Sequence, residues 1–453
     1  MVQDSHPEVA APRYRAVTRA NIDKLPQWQA LDPDLRDAVM TVSAVLPFRT
    51  NAYVMDELID WDRVPDDPMF RLTFPMAAML DDDDFQSMRR LVHAGADKKQ
   101  LEAAARPIRE KLNPHPAGQM THNVPHVDGE PIPGMQHKYR ETVLFFPSHG
   151  QTCHAYCTFC FRWAQFVGDD DLKFANKEAS QLRRYLEQHP EVTDVLFTGG
   201  DPMIMRTKVF ATYVDEILDV ESVRTVRIGT KSVAYWPQRF VSDADADDML
   251  RLFERITDAG KQVALMGHYN HWVELATPTA QEAVKRIRST GANIRMQSPL
   301  IRHINDSADT WAKLWLTGTQ LGCIPYYMFV ERDTGAKSYF ELPLAECWEI
   351  FRKAYQRVPG TARTVRGPSM SCFPGKCHVL GVTEIAGEKA FALEFLQARD
   401  PSLVRRPFFA KYDPEASWYD ELQPFSSSDE RFFLRPELPT TDLTIAAGEA
   451  AHA

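Results

Sequence analysis

No stretch of this chain approaches the length of a membrane span, and the opening Met1-Val2-Gln3-Asp4-Ser5-His6 lacks the charged head and apolar run of a signal peptide. A basic surface is missing too. The net charge of −10 argues against nucleic acid or an anionic membrane as partner, since neither attracts an acidic surface. Cysteine is scarce. There are seven, an odd number, and Cys323, Cys347, Cys372 and Cys377 are scattered, which argues against a disulfide framework. What is present is ordinary for a globular protein with a sizeable core: 44% apolar residues and 25% charged ones. A length of 453 residues suffices for one large α/β domain with appendages, or for two domains.

The three remaining cysteines are not scattered. They stand in Cys153-His154-Ala155-Tyr156-Cys157-Thr158-Phe159-Cys160, just after the apolar run Val143-Leu144-Phe145-Phe146, which reads as a short buried strand. Three thiolates on one loop can hold three irons of a cubane [4Fe–4S] cluster and leave the fourth open to a small chelating molecule. Zinc prefers four protein ligands in C-x2-C pairs, and no fourth ligand sits at that spacing here. The C-x3-C-x2-C spacing resembles that of the radical S-adenosylmethionine enzymes. An oxygen-sensitive cluster and free thiols both point to the cytoplasm.

Residues 1–135 read as a mainly helical extension. Asp81-Asp82-Asp83-Asp84 suits a solvated helix start, and helical periodicity over 86–113 ends at Pro114-His115-Pro116. From Val143 the pattern is strand, loop, helix, repeated. Strands are expected at Asp194–Phe197, Val223–Ile228, Val263–Met266, Asn293–Gln297 and Ile324–Phe329, with a helix starting near Ser242 behind Asp243, Asp245 and Asp247. Six such units at roughly 30-residue intervals imply an α/β fold with a parallel sheet, a partial (β/α)6 barrel over 136–380. An open doubly wound sheet is the alternative. Residues 381–453 form a C-terminal extension whose aromatics pack back on the domain, with the last 15 or so expected to be disordered.

In either architecture ligand groups collect after the carboxyl ends of strands. Gly199-Gly200 allows close backbone approach there, and Asp201 can accept from an ammonium group. His268 and His271 with Asn270 and Glu274 suit hydrogen bonding better than zinc. Arg162, two residues past the last loop cysteine, can grip a carboxylate with both arms of its fork. Lys376 lies in Cys372-Phe373-Pro374-Gly375-Lys376-Cys377, and a lysine on a Gly/Pro-rich loop can form a Schiff base with pyridoxal phosphate. Cys372 and Cys377 read as small buried hydrophobes.

Several stretches together resemble the lysine 2,3-aminomutase family: Pro133 to Tyr139, the cysteine loop, Asp194 to Asp201, Arg227 to Thr230 with Pro237-Gln238-Arg239, His268 to His271, Gln297-Ser298, Ile304 to Ser307 and Pro325-Tyr326-Tyr327. The resemblance implies a cluster held by Cys153, Cys157 and Cys160. It implies S-adenosylmethionine bound near Gly199, Gly200, Asp201 and Gln297, and pyridoxal 5′-phosphate on Lys376. Arg162 falls where the family binds the substrate carboxylate. The reaction implied is a shift of an α-amino group to the β-carbon of a small amino acid, with an electron donor such as flavodoxin or ferredoxin; a homo-oligomer is compatible with this reading. There are departures. Ser369 to Gly375 replaces the family's glycine run before the lysine, and Thr142 stands where relatives have a basic residue. Lysine-specific relatives hold the side-chain ammonium with two aspartates. Arg332 takes the first position, and Ser369 or Arg366 the second, so the expected substrate is acidic or neutral, such as glutamate. Two alternatives are a radical enzyme without pyridoxal phosphate and a non-catalytic iron–sulfur electron-transfer protein.

Overall fold

Six strand-forming runs between Thr142 and Val330 become six parallel strands, each followed by a helix. The computed structural model describes residues 13–113, 123–168 and 173–434. Its main sheet has eleven strands whose spatial order is their sequence order. These are β1 (Met135–Tyr139), β2 (Thr142–Phe145), β3 (Asp194–Phe197), β4 (Thr225–Thr230), β5 (Gln262–His268), β6 (Asn293–Leu300), β7 (Ile324–Val330), β8 (Arg366–Ser371), β9 (Gly375–Ile385), β10 (Glu388–Ala398) and β11 (Phe408–Lys411). Strands β2 to β8 pair in parallel, while β1 and β9 to β11 run antiparallel to their neighbours. The architecture is therefore α/β with a mixed, largely parallel sheet. The six expected units are present, and β8 adds a seventh parallel strand.

The crossover helices are placed by apolar stripes. Ala246–Asp258 turns Met249, Phe253 and Ile256 inward, each contributing about 1.5–3 kcal/mol on burial. It begins four residues later than Ser242, because the two preceding aspartates serve tertiary contacts. Asp243 accepts from the Trp236 indole (3.1 Å), and Asp245 from Thr207 and Arg239. Pro278–Ser289 starts with proline behind Thr277, whose hydroxyl accepts from the Ala280 N–H at 3.1 Å.

The sheet curls. Lys138 on β1 donates to the carbonyl of Cys372, just beyond β8, although the six strands β2 to β7 lie between β1 and β8 in the ladder order. Arg399, next to the end of β10, bonds Asn123 from the segment before β1. The β1 edge thus meets the β8–β9 turn through side chains rather than a ladder, which makes a partial barrel.

The helix expected over 86–113 is two helices, Asp82–His93 and Lys98–Leu112. Gly95 (φ +69°) ends the first, and Asp97 caps the second by accepting from the Gln100 N–H at 2.9 Å. Asp82, Asp83 and Asp84 do occupy a helix's first turn. The expected stop at Pro114 to Pro116 lies outside the described residues, as does the stretch after 434. After β11, Trp418, Tyr419 and Phe432 bury themselves with Phe391, Phe395 and Phe408 in a second apolar cluster that also holds Cys372 and Cys377. No described helix is long and apolar enough to cross a membrane.

Candidate active site around the cysteine loop

The cysteine loop leaves β2 and is held from two sides. From the N-terminal side, the Arg49 carbonyl accepts from the Tyr156 N–H (2.8 Å), the Leu72 carbonyl accepts from the Thr158 N–H (3.0 Å), and the Tyr14 hydroxyl donates to the His154 carbonyl (2.8 Å). From the barrel side, the Asp201 N–H donates to the Thr152 and Gly150 carbonyls at 2.8 and 3.1 Å. Here the glycine pair has an immediate physical cause. A Cβ on Gly200 would lie 2.5 Å from the Thr152 backbone N and O, and one on Gly199 would lie 2.3 Å from the Gln151 amide.

Asp201 is buried and committed. Its carboxylate accepts from the Thr230 hydroxyl (2.8 Å), the Ser232 hydroxyl (2.9 Å) and the backbone N–H groups of Lys231 and Met203 (2.9 Å each). An incoming ammonium would compete with these four donors. Because Ser232 donates to Asp201, it accepts from His154 Nδ1–H at 2.9 Å, and burial keeps that imidazole neutral by lowering its pKa to about 3. One network therefore ties the ends of β3 and β4 to the cysteine loop.

The three thiols are half-buried and within electrostatic reach of one another. Burial pushes Cys157 up to about 11 and Cys160 up to about 12, so in the metal-free protein they are neutral thiols awaiting positive charge. Lys231 opposes that rise at Cys157, and the Tyr235 hydroxyl lies 3.2 Å from its sulfur. Among the described residues no three His, Cys, Asp or Glu side chains converge on a single ion.

His268 stacks on Phe159 with ring centroids 6.2 Å apart, and burial holds it neutral with a pKa of about 3. Glu274 accepts from the N–H of His271 (2.9 Å), from that of Asn270, and from Lys231. Gln297 sits half-buried on β6, level with His268 on one side and Tyr327 on the other.

Arg162 is 9% exposed, with its guanidinium 4.3 Å from the Phe146 ring centroid and one arm on Gln165 Oε1 at 2.6 Å. Its Nε has no partner, no carboxylate among the described residues pairs with it, and Cys160 and Cys153 lie within electrostatic reach. Burial lowers its pKa only to about 10, so it stays charged. Arg332 is packed between Phe161 (5.9 Å) and Trp418 (5.4 Å); it donates to the Ser371 carbonyl at 3.2 Å and lies 3.5 Å from Asp333.

Lys376 belongs to β9, opposite Ser371, rather than to the flexible loop its neighbours suggest. Its ammonium nitrogen is 4.1 Å from the Tyr327 ring centroid and 5.5 Å from that of Phe329. Burial first, then Arg227, Arg366 and Lys138, bring its pKa down to about 7. Lys138, lowered to about 7 chiefly by burial, belongs to the same group. Arg295 and Arg366 both lie over the Tyr326 ring, at 5.4 and 4.5 Å. Sequence reasoning missed Lys138, Arg227 and Arg295 as site residues. For Arg227 and Arg295 the available signal was their presence in central strands, where a buried parallel sheet is otherwise near-continuously apolar; Lys138, on the edge strand β1, carried no such signal.

No family model matches the chain. Among curated proteins it is similar to the "Putative L-lysine 2,3-aminomutase" of Aquifex aeolicus (strain VF5), 31% identical over 381 residues that span 84% of this chain and 88% of that one. It is also similar to the L-lysine 2,3-aminomutases of Bacillus subtilis (25% identity; 52% of this chain, 47% of that protein) and Escherichia coli (27%; 51% and 63%). Among solved structures there is a match to Streptococcus suis SuiB bound to S-adenosylmethionine, with 12% identity, a TM-score of 0.35, and coverage of 60% of this chain and 56% of that one. With the first relative matched over most of both chains, and with Cys153, Cys157 and Cys160 gathered at the mouth of a six-unit partial barrel, the chain belongs to the lysine 2,3-aminomutase family of radical S-adenosylmethionine enzymes.

Proposed function

We propose that this enzyme moves the α-amino group of an acidic or neutral amino acid, such as glutamate, to the β-carbon. The observation that carries the reading is the placement of Lys376 on β9, its amine 4.1 Å from the Tyr327 ring centroid; burial and the nearby Arg227, Arg366 and Lys138 push its pKa down to about 7. A near-neutral amine is the chemistry a carbonyl cofactor requires, and the surrounding cations suit a phosphate. Cys153, Cys157 and Cys160 would hold the [4Fe–4S] cluster, with S-adenosylmethionine against the β3 and β6 strand ends. When bound, cluster and S-adenosylmethionine supply a carbon radical, and pyridoxal phosphate supplies a conjugated carbonyl able to carry nitrogen between adjacent carbons.

This chain's own residues supply the binding. The Arg162 fork, with one arm on Gln165 and its Nε without a partner, would grip the substrate carboxylate beside the cysteine loop. Lys376 holds the cofactor when the substrate amine is absent. Its β9 position keeps it on a rigid element, and the Tyr327 face shields it from water. Arg332, packed between Phe161 and Trp418 just past the end of β7, would attract a second carboxylate and repel a lysine ammonium. An external one-electron donor of the flavodoxin or ferredoxin kind completes the reading.

Borohydride reduction of protein incubated with pyridoxal phosphate, followed by peptide mass spectrometry, tests it. A pyridoxyl group on Lys376 is expected. A stable, cluster-loaded protein with no pyridoxyl adduct would overturn the proposal in favour of radical chemistry without that cofactor.

A further inference from the structure

Tyr235 ends the short helix Ser232–Tyr235 that follows β4. Its hydroxyl lies 3.2 Å from Cys157 Sγ, its hydrogen-bond partner in a ring only 1% exposed. Both ends of the residue are fixed. Its N–H donates to the Lys231 carbonyl at 2.9 Å, and its carbonyl accepts from Asn51 Nδ2 at 3.0 Å. The same Asn51 amide donates to the His154 carbonyl at 3.1 Å, so one side chain clamps the tyrosine to the cysteine loop. Over the ring, 4.7 Å from its centroid, sits the Lys231 ammonium, held by Asn270 (2.9 Å), the His268 carbonyl (3.2 Å) and buried Glu274.

A thiolate bound to iron carries no proton, so in the loaded protein the tyrosine must be the donor. We infer that Tyr235 is a positioning residue that sets the reduction potential of the cluster by donating a hydrogen bond to the Cys157 thiolate, with Lys231 over the ring strengthening the donor. Reduction adds one negative charge to the cluster, and a hydrogen bond to its sulfur stabilises the more negative form, which raises the potential. The cation above the ring withdraws electron density from the phenol and sharpens the O–H dipole. The inference rests on the cysteine loop holding a cluster, and not on the identity of the substrate. It gives Tyr235 a function that an apolar residue in the same space cannot perform.

The test is an anaerobic redox titration of the full-length, reconstituted protein, followed by electron paramagnetic resonance of the reduced cluster. Tyr235→Phe keeps the ring and removes only the donor. It is expected to lower the equilibrium constant for one-electron reduction by about tenfold, a fall of about 59 mV. Placing 3-fluorotyrosine, a more acidic phenol, at position 235 is expected to move the midpoint the other way, which loss of packing cannot do. A midpoint unchanged in Tyr235→Phe at full iron content, or one that falls with 3-fluorotyrosine, overturns the inference while leaving the cluster assignment intact. A wild-type protein that takes up no cluster overturns both.

Discussion

Lys376 and Tyr327 meet inside the curled sheet, the ammonium nitrogen 4.1 Å from the ring centroid. This pairing puts a lysine on a strand rather than a loop, and among three other cations rather than in water. Its ordinary value of 10.5 falls to about 7. Between those values the native protein carries a neutral amine while the unfolded chain carries an ammonium. The native state then binds fewer protons, so this lysine's contribution makes stability rise with pH from about 7 to about 10.5. The same shift controls reactivity. Trapping of pyridoxal phosphate at Lys376 is expected to increase through pH 7 and level off above it, read by the absorbance of the borohydride-reduced adduct. A rise centred near 10 would contradict the burial argument.

Gly200→Ala is expected to break the clamp between β3 and the cysteine loop, because its Cβ would sit 2.5 Å from the Thr152 backbone. Neither backbone atom can yield cheaply, so the cost is about 1–3 kcal/mol or more. The midpoint of chemical denaturation should fall, and iron content after reconstitution should drop with it.

Lys231 and Glu274 form a buried pair, their side chains 10% and 0% exposed. Glu274→Ala leaves the ammonium without its anion and removes acceptors from the Asn270 and His271 N–H groups. The expected loss is about 3–5 kcal/mol in urea unfolding. Lys231→Met together with Glu274→Leu is expected to recover much of it.

Arg162→Lys keeps the charge and loses the fork. With one arm on Gln165 and no carboxylate partner among the described residues, the guanidinium is expected to bind substrate through the arms a lysine lacks. KM should rise roughly tenfold to hundredfold, as one or two charge-assisted hydrogen bonds are lost, while iron content stays unchanged. A KM like that of the wild type would remove Arg162 from the carboxylate site.

Much of the frame was legible in the sequence because the chemistry is local. The three cysteines announce themselves by spacing, and the strands β3 to β7 by short β-branched and aromatic runs between turn residues. Strand β8 was not legible. Its Arg366-Gly367-Pro368-Ser369 has the residues of a loop, and it becomes a strand only because β7 and β9 pair with it on either side. The same tertiary override put Lys376 on a strand. Gly199 and Gly200 were read as space for a ligand, and their closest neighbour proves to be the cysteine loop itself. Asp201 looked like an acceptor for an ammonium, and three of its four donors come from 29 to 31 residues away, at and just past the end of β4. Nor does any local pattern announce the gathering of Lys138, Arg227, Arg366 and Lys376, which needs the sheet to curl before strands far apart in sequence face one another.

The central claim is amino-group migration on an acidic or neutral amino acid. It is tested most directly by incubating reconstituted enzyme, S-adenosylmethionine, pyridoxal phosphate and a reductant with 2-15N-labelled glutamate and lysine in parallel, following the label by NMR. The account predicts that 15N moves from the α- to the β-carbon of glutamate and stays in place on lysine. Robust migration on lysine with none on glutamate would contradict it.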